Sequence, residues 1–334
     1  MIHDLPGDIW LILSLQSLGD WFTPIMSFFT WLGYPQAYMI LIAIIYWSID
    51  RSLGLRLAIF LPVVASLNSI LKQALVSPRP YWLDPGIEAI RVSNGFGMPS
   101  GHAQASTVWL YAAACLRKRG FWFLAIAVAF LVGMSRIYLG VHFPSQVLAG
   151  WLTGILVVIL FVKLEGRILS WFLNKTLGRQ VLWIGGITLL IWVLGGIFVY
   201  LQRDWEMPLE WIRNAADDLT GRDETILSSV GMGAVAGNAG GFLGVSLAAL
   251  LSHRKGGFDA GGTAWIRILR SVAGVLCFIA LYSLILWIAP PESKEGLYSI
   301  WRFCGFFLMA FFAIYLLPLL FRRIKLLPPP KTKN

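Results

Sequence analysis

Charged side chains are scarce in this chain of 334 residues: Asp, Glu, Lys and Arg make up only 13%, whereas 57% of the residues are hydrophobic. Because a soluble globular domain carries about a quarter charged residues, the composition excludes that class. Cysteine is scarce too. Cys115, Cys277 and Cys304 lie far apart within apolar segments, so we expect them to pack as small apolar side chains and to indicate nothing about the redox compartment.

Internal repeats and a segment typical of a soluble domain are also lacking. The glycine-rich run at 231–244 lies within an apolar segment with no strand before it, which argues against a dinucleotide-binding motif. Its Gly233, Gly237 and Gly241 recur every four residues, a spacing that favours close packing of transmembrane helices.

Long apolar runs are abundant, and each approaches the ~20 residues that cross a bilayer as a helix. Nine such runs occur, at 31–49, 53–73, 101–116, 121–139, 143–162, 180–201, 225–251, 265–289 and 297–320. Residues 1–30 are interrupted by Gly19, Asp20 and Pro24 and are predicted to form interfacial helices. The sequence therefore predicts an all-α polytopic membrane protein with about nine transmembrane helices.

The net charge is +10, and the distribution of the charged residues agrees with this topology. With the N-terminus outside and the C-terminus cytoplasmic, most Lys and Arg residues fall on the cytoplasmic side and most acids on the outer side, as the positive-inside rule requires. The basic residues thus indicate contact with the lipid bilayer, and nucleic acid is not a predicted partner. The acidic loop at 202–224, which includes Asp204, Glu210, Asp223 and Glu224, is predicted to be solvated rather than to bind a divalent ion.

Three short polar motifs stand out against this apolar background, and the predicted topology brings all of them to the outer membrane boundary. Lys72 ends the second span and Arg79 follows it, "PSGH" at 99–102 opens the third, Arg136 ends the fourth, and His142 precedes the fifth. Intramembrane ionisable residues are costly and usually functional. Their convergence on one face predicts a single site.

Such a group of cations is stable only beside an anion, and phosphate suits two guanidinium forks and an ammonium. Ser100 and Gly101 are expected to add free backbone N–H groups at a helix N-terminus. Two of the four histidines lie in these motifs. One is predicted to attack phosphorus and the other to protonate the leaving oxygen and then activate water. Gln146, one helical turn after His142, is placed to hold the nucleophile's other ring nitrogen.

Together these motifs, Lys72–Pro80, Pro99–His102 and Ser135–His142, resemble the type 2 phosphatidic acid phosphatase superfamily, which includes lipid phosphate phosphatases, glucose-6-phosphatases and soluble vanadium haloperoxidases. The resemblance covers about residues 30–165. It implies a helical-bundle phosphatase core at 31–165, followed by C-terminal transmembrane helices of unassigned role at 166–334. It also implies that His142 is the nucleophile and His102 the general acid, and that phosphate is bound by Lys72, Arg79, Ser100, Gly101 and Arg136.

In the family pattern an aspartate lies four residues after the second histidine, where this chain has Gln146. The glucose-6-phosphatase branch also carries glutamine there, and "RPYW" and "HFPSQV" resemble that branch. A glutamine carbonyl can fix the histidine tautomer but adds no negative charge. Asp84 or Glu88, in the outer loop, is an alternative source of that charge.

The predicted function is hydrolysis of a phosphomonoester or pyrophosphate at the extracytoplasmic face, through a phosphohistidine, without a metal or other cofactor. A lipid phosphate is the favoured substrate, by analogy with the superfamily. The alternatives are a sugar phosphatase like glucose-6-phosphatase, or a non-catalytic binder or transporter of lipid phosphate. No retrieval signal is recognised at the C-terminus, which favours a bacterial inner membrane, and the oligomeric state is not indicated.

Overall fold

A computed structural model describes residues 6–93, 95–218 and 230–327, and all of its regular elements are helical. In chain order the α-helices are α1 Pro6–Gln16, α2 Thr23–Leu32, α3 Pro35–Ser48, α4 Arg51–Leu75, α5 Pro80–Leu83, α6 Gly101–Ser106, α7 Val108–Leu116, α8 Arg119–Tyr138, α9 Pro144–Leu173, α10 Leu177–Leu201, α11 Leu209–Asp218, α12 Gly233–Arg254, α13 Ala264–Trp287, α14 Glu295–Phe311 and α15 Leu317–Arg323. The all-α prediction is confirmed.

Seven segments of the described chain are long and apolar enough to cross a membrane: Arg51–Leu83, Arg119–Tyr138, Pro144–Leu173, Leu177–Leu201, Gly233–Arg254, Ala264–Trp287 and Glu295–Arg323. Their outer faces are apolar, as a lipid-facing surface requires. On α10, for example, Leu182 and Leu189 expose 74% and 63% of their surface. The chain is an integral membrane protein. The sidedness of its spans remains a prediction.

Two of the nine predicted spans are not straight helices. The first is a bent pair, Asp20–Leu32 and Pro35–Ser48, whose axes differ by 56°, and it adds an eighth span if the pair crosses as one. The break falls at Gly33 and Tyr34, because proline cannot continue the hydrogen-bond ladder of a preceding helix. The bent pair therefore begins eleven residues before the predicted run at 31–49.

The predicted span at 101–116 is divided into α6 and α7 at Thr107. The hydroxyl of Thr107 donates to the carbonyl of Gln104 over 2.7 Å, and Ser106 does the same to Ala103 over 2.7 Å. Such side-chain bonds compete with the helical ladder and bend helices. Neither piece reaches spanning length alone, which is the main reason why the count falls below nine.

The described chain forms two compact units. The first comprises 1–35, 67–164 and 194–231, and it contains every residue of the three polar motifs. Its core includes Ile12 of α1 beside Ile137 and Val147, so the N-terminal helices predicted to be interfacial are packed into this unit. We refer to it as the motif unit.

The second unit comprises 36–66, 165–193 and 232–334. Here α12 packs against α14 so closely that a Cβ atom at Gly240 would lie 2.1 Å from the carbonyl oxygen of Phe303, and one at Gly244 would lie 2.4 Å from that of Phe307. The predicted role of this glycine-rich run in helix packing is confirmed. The closest backbone approach, however, is at Gly240 and Gly244; Gly241 faces Pro62 of α4 instead.

Candidate active site

The three motifs meet in the motif unit because each one lies at a helix end or in the connection between helices. Lys72 is in the last turn of α4, Arg79 precedes α5, and Ser100 precedes α6. Arg136 is in the last turn of α8, and His142 lies two residues before α9. Arg79, Ser100, Arg136, His142 and Gln146 expose 2% or less of their surface.

Two backbone groups of known polarity fix the orientation of the Gln146 amide. Its Nε2 donates to the carbonyl of Pro78 over 2.7 Å, and its Oε1 accepts from the backbone N–H of Phe143 over 3.2 Å. A second donation from Nε2 reaches the hydroxyl of Ser77 over 3.0 Å. Since a carbonyl accepts only and an N–H donates only, the oxygen of this amide must face His142.

This orientation determines the tautomer of His142. Its Nδ1 lies 3.1 Å from Oε1 of Gln146, so Nδ1 must carry the proton and donate. The other nitrogen, Nε2, then has a free lone pair, and Arg79 Nη1 donates to it over 3.3 Å. The imidazole is thus held with its unprotonated nitrogen beside a phosphate-binding guanidinium.

The imidazole of His142 is also kept neutral. Burial lowers the pKa of His142 well below its ordinary value of 6.5, the charges of Arg79, Lys72 and Arg136 lower it further, and the hydrogen bond with Gln146 raises it slightly. At pH 7 the ring is therefore unprotonated at Nε2 and is ready to act as a nucleophile.

Lys72 and Arg79 donate hydrogen bonds to backbone carbonyls. Lys72 Nζ and Arg79 Nη2 both donate to the carbonyl of Phe96, and Arg79 also donates to those of Gly95 and Val141 over 2.8 and 2.9 Å. A charged oxyanion is a stronger acceptor for a guanidinium or an ammonium than a carbonyl oxygen, so these converging donors suit an anion.

Arg136 is held by two hydroxyl groups. Its Nη1 donates to Thr30 over 2.5 Å and its Nη2 donates to Ser93 over 2.8 Å. Its Nε, the hydroxyl of Ser100 and Nε2 of His102 are buried atoms without a hydrogen-bond partner among the described residues. Buried polar atoms are rarely left unsatisfied in proteins, so these three groups on three motif residues are available to a polar ligand.

His102 is seated against the break between α2 and α3. The ring of Tyr34 meets it edge-on at 4.9 Å between centroids, and a Cβ atom at Gly33 would lie only 2.6 Å from its Cδ2. Glycine is needed at this close approach. The residues at the bend between α2 and α3 therefore also fix the position of His102, the predicted general acid.

The "PSGH" motif is tied to α4 and α9. Asn68 donates to the carbonyl of Pro99 over 3.1 Å and to Gln104 Oε1 over 2.7 Å. On the other side, a Cβ atom at Gly150 would lie 2.6 Å from the carbonyl oxygen of Ser100, so α9 approaches the motif backbone closely.

One predicted contribution of this motif is wrong. The backbone N–H of Ser100 donates to the carbonyl of Gln146 over 3.0 Å and is not free for an anion. The reason is the same close approach of α9, which brings a helical carbonyl within reach of the motif. The unpartnered group that Ser100 offers is its hydroxyl.

The structure places neither alternative carboxylate beside His142. Asp84 Oδ1 accepts from the backbone N–H of Gly86 over 2.8 Å, and the side chain of Glu88 is exposed. The side chain that contacts Nδ1 of His142 is Gln146 instead.

Four residues of this site were not singled out in the sequence: Thr30, Asn68, Ser77 and Ser93. Asn68 had a usable signal, because it lies four residues before Lys72 on an apolar helix and so shares its face. The three hydroxyl residues had none, since serine and threonine are common in transmembrane helices and loops. Only the fold identifies them as partners of Arg136 and Gln146.

The loop after α10 belongs to the motif unit and packs against the segments that carry the motifs, so it is more than a solvated connection. The ring of Trp205 meets that of Phe96 at 5.1 Å, and Trp211 of α11 meets Trp82 at 5.8 Å. Asn214 donates to the carbonyl of Trp82 over 2.9 Å. Within the described residues no cluster of three metal-ligating side chains occurs; Asp223 and Glu224 lie outside that part of the chain.

Comparison with known proteins places two regions of the chain in one superfamily. Residues 52–170 match the profile of the PAP2 superfamily, and residues 236–331 match the profile described as PAP2 superfamily phosphatase, transmembrane extension. The second match covers helices to which the sequence motifs assign no role. No solved structure matches the chain.

Three curated relatives illustrate the range of the resemblance. Glucose-6-phosphatase catalytic subunit 1 of Rattus norvegicus is 27% identical and aligns over 97% of this chain and 96% of its own length. Sphingosine-1-phosphate phosphatase 1 of Rattus norvegicus is 30% identical over 54% of this chain and 42% of its own. Undecaprenyl-diphosphatase of Sulfolobus acidocaldarius is 31% identical over 34% of this chain and 56% of its own.

Proposed function

Since the chain belongs to the PAP2 superfamily and is a membrane phosphatase of the phosphoric monoester hydrolase class, we propose that His142 is its nucleophile and that hydrolysis proceeds through a phosphohistidine. The observation that carries the proposal is the fixed amide of Gln146, which leaves Nε2 of His142 unprotonated beside Arg79.

The reaction has two displacement steps. In the first, Nε2 of His142 attacks phosphorus and the bond between phosphorus and the ester oxygen breaks. His102, which becomes protonated once the bound phosphate balances the charge of the nearby cations, gives its proton to the departing oxygen. In the second, His102 takes a proton from water, the water oxygen attacks phosphorus, and the P–N bond breaks to release phosphate. Each histidine returns to its starting protonation state, so the cycle balances.

The cations stabilise the charge that spreads over the phosphoryl oxygens in the transition state. Lys72 and Arg79 now donate to the carbonyl of Phe96, and a phosphoryl oxygen, being charged, is a stronger acceptor than a carbonyl. Arg136 Nε and the Ser100 hydroxyl, both without a partner among the described residues, supply further donors. Preorganised donors of this kind usually make the largest contribution to acyl- and phosphoryl-transfer catalysis.

Glutamine at position 146 limits nucleophile activation but does not prevent it. The amide fixes the tautomer, which is the first requirement. It adds no negative charge to make the ring more basic, so the rate depends more heavily on the cations that bind phosphate.

A lipid phosphate is the first candidate substrate. The motif residues lie at the ends of apolar, membrane-length helices, where a head group would reside while its chain stays in the bilayer. Two of the relatives are named for sphingosine 1-phosphate and undecaprenyl diphosphate, and both molecules carry a long apolar chain. The site would face the extracytoplasmic side of the membrane, in accordance with the predicted distribution of basic residues.

A sugar phosphate is the second candidate, and a specific observation favours it. The match to glucose-6-phosphatase runs along almost the whole of both chains, whereas the other two relatives align over about half of this chain or less. It therefore includes the loop that brings Trp205 and Trp211 to the motif unit.

A substrate panel on the purified protein tests these proposals. Phosphatidate, a prenyl pyrophosphate and glucose 6-phosphate are each assayed for phosphate release with wild type and with His142→Ala. We expect phosphatidate or the pyrophosphate to be preferred and the variant to be inactive. A strong preference for the sugar would replace the first candidate by the second, and phosphate binding without turnover of any ester would contradict the catalytic proposal.

A further inference from the structure

A second group of uncompensated cations lies in the other compact unit, around Gly257. A shallow, partly open pocket lies there between the end of α12, the following loop and α15. It is lined by Ser252, Lys255, Gly257, Phe258, Tyr315, Pro318, Leu319 and Arg322. We call it the Gly257 pocket.

Two basic side chains, Lys255 and Arg322, line this pocket, and a third, Arg51, contacts its Gly257. A Cβ atom at Gly257 would lie 2.1 Å from Nη1 of Arg51, so that guanidinium rests directly on the glycine. Arg322 donates to the carbonyl of the same residue. Lys255 Nζ lies 5.4 Å from the centre of the Tyr315 ring. Gly257 has a φ of +63°, a conformation that suits glycine and lets the backbone turn beneath the two guanidinium groups.

Their charge is not neutralised within the described part of the chain. None of the three has a carboxylate within ion-pair distance there, although the same unit contains one such pair, Arg56 with Glu165 at 2.9 Å. The Nε atoms of Arg51 and Arg322 are buried and lack an acceptor among the described residues.

The acids adjacent in sequence are already engaged. Asp50 accepts from the backbone N–H of Leu53 over 3.0 Å, and Asp259 accepts from that of Gly261 over 2.8 Å.

The lining of the pocket favours a lipid as the source of an anion that would neutralise these cations. Phe258, Tyr315, Pro318 and Leu319 form an apolar lining beside the cations. Leu316 and Leu320, on the neighbouring positions, expose 39% and 42% of their surface, as expected for side chains that face lipid. Basic pockets between transmembrane helices bind anionic lipid head groups, and Lys or Arg near the surface contributes about 1 kcal/mol each.

We propose that the Gly257 pocket binds the phosphate group of an anionic phospholipid. Lys255 and Arg322 contact the phosphate oxygens, Arg51 adds its free Nε, and the apolar wall receives the start of the acyl chains. This site takes no part in the hydrolysis proposed for the motif unit and does not depend on it.

Native mass spectrometry of the full chain in detergent tests the proposal. The protein is titrated with phosphatidylglycerol, with phosphatidylcholine and with inorganic phosphate alone. We expect one phosphatidylglycerol to be retained preferentially over phosphatidylcholine. Because the motif unit is itself proposed to bind phosphate, only the retention that is lost in Lys255→Gln is assigned to the Gly257 pocket. An equal loss of inorganic phosphate in that variant would overturn the assignment to a lipid, and equal retention of the two lipids would overturn the role of charge.

Variants locate the site. Lys255 is exposed, so Lys255→Gln should leave folding intact and weaken phosphatidylglycerol binding about fivefold, the equivalent of about 1 kcal/mol. Lys163→Gln, an equal change of charge at an exposed position of α9, is the matched control and should have no effect. Undiminished binding in Lys255→Gln, or an equal loss in both variants, would contradict the proposal.

Discussion

Arg136 of the motif unit and Arg270 of the second unit are buried to the same degree, with exposed fractions of 1% and 0%, yet they are used differently. All three guanidinium nitrogens of Arg270 have partners: the hydroxyl of Ser48 and the carbonyls of Ala260, Gly261 and Leu326. Arg136 has partners for two nitrogens, and its Nε has none among the described residues.

The contrast shows that burial of a charge does not by itself mark a functional site. Arg270 donates to carbonyls of the loop after α12 and of the segment that follows the last helix, so it holds these segments together. Arg136 lies in a unit with two histidines and with other donors that also lack partners. The unsatisfied hydrogen bonds, more than the burial, distinguish an arginine that awaits a ligand from one that stabilises the fold.

The largest expected effect is that of His142→Ala. It removes the nucleophile and should lower kcat about 10⁴-fold or more, while the thermal unfolding temperature stays near that of wild type. Phosphate release by purified protein, measured alongside unfolding in the same detergent, provides the check. Substantial residual turnover would contradict the nucleophile assignment.

The two buried arginines are compared directly by Arg136→Lys and Arg270→Lys. Lysine keeps the charge but loses the guanidinium fork. We expect Arg136→Lys to lower kcat/KM about 10²-fold with little change in stability. Arg270→Lys should leave activity per folded molecule unchanged and lower the free energy of unfolding by about 1–3 kcal/mol.

Kinetics and denaturation of both variants are measured under one set of conditions. If both variants lose only stability, or both lose only activity, the distinction drawn between the two regions is wrong.

A smaller effect is expected from Gly33→Ala, which places a Cβ atom 2.6 Å from Cδ2 of His102 and displaces the proposed general acid. Its φ of −88° suits alanine, so strain of the backbone is not the cause. We expect about tenfold slower hydrolysis of an alkyl phosphate. The loss should be smaller for p-nitrophenyl phosphate, whose leaving group needs less protonation.

Gly185→Ala is the matched control, because nothing lies within 4 Å of a Cβ atom at that position of α10. An equal loss with both leaving groups would indicate general disruption by Gly33→Ala rather than displacement of the acid.

The smallest change in rate is expected from Gln146→Asp, which should instead shift the pH dependence. In wild type the pKa of His142 is lowered by burial and by nearby cations, so its protonation limits activity only well below pH 6.5. A carboxylate beside Nδ1 favours the protonated ring and raises that pKa. The acidic limb of kcat/KM should therefore move to higher pH, with the optimum rate preserved or increased.

The pH profiles of the two proteins are compared on one substrate, so that ionisation of the substrate cancels. A large loss of activity at every pH, with no displacement of the limb, would show that the amide has a role other than control of the tautomer.

The sequence predicts much of the fold and of the candidate site, because the residues of each motif are close together in the chain. Charged residues in apolar runs are rare enough to be noticed one by one, and the spacing of His142 and Gln146 predicts their contact. The boundaries of α4, α8 and α10 also follow from apolar length to within three residues.

What the sequence did not provide depends on the packing of distant segments. The bend at Gly33 and the break at Thr107 occur within continuous apolar runs, where hydropathy carries no sign of them. Ser77 and Ser93 become recognisable only when the chain brings them to Gln146 and Arg136. Similarly, Trp205 belongs to a distant, acidic loop, and nothing in its surroundings indicates contact with Phe96.

Direct trapping of the covalent intermediate tests the central claim, attack by Nε2 of His142 on phosphorus. Wild type, His142→Ala and His102→Ala are mixed with the ³²P-labelled ester that turns over in the panel, quenched within milliseconds, and digested for peptide mapping. The account predicts an acid-labile, alkali-stable label on the peptide that contains His142 in wild type. The label should persist longer in His102→Ala, and it should be absent from His142→Ala. Turnover by wild type without label on that peptide, or with label on another residue, would contradict it.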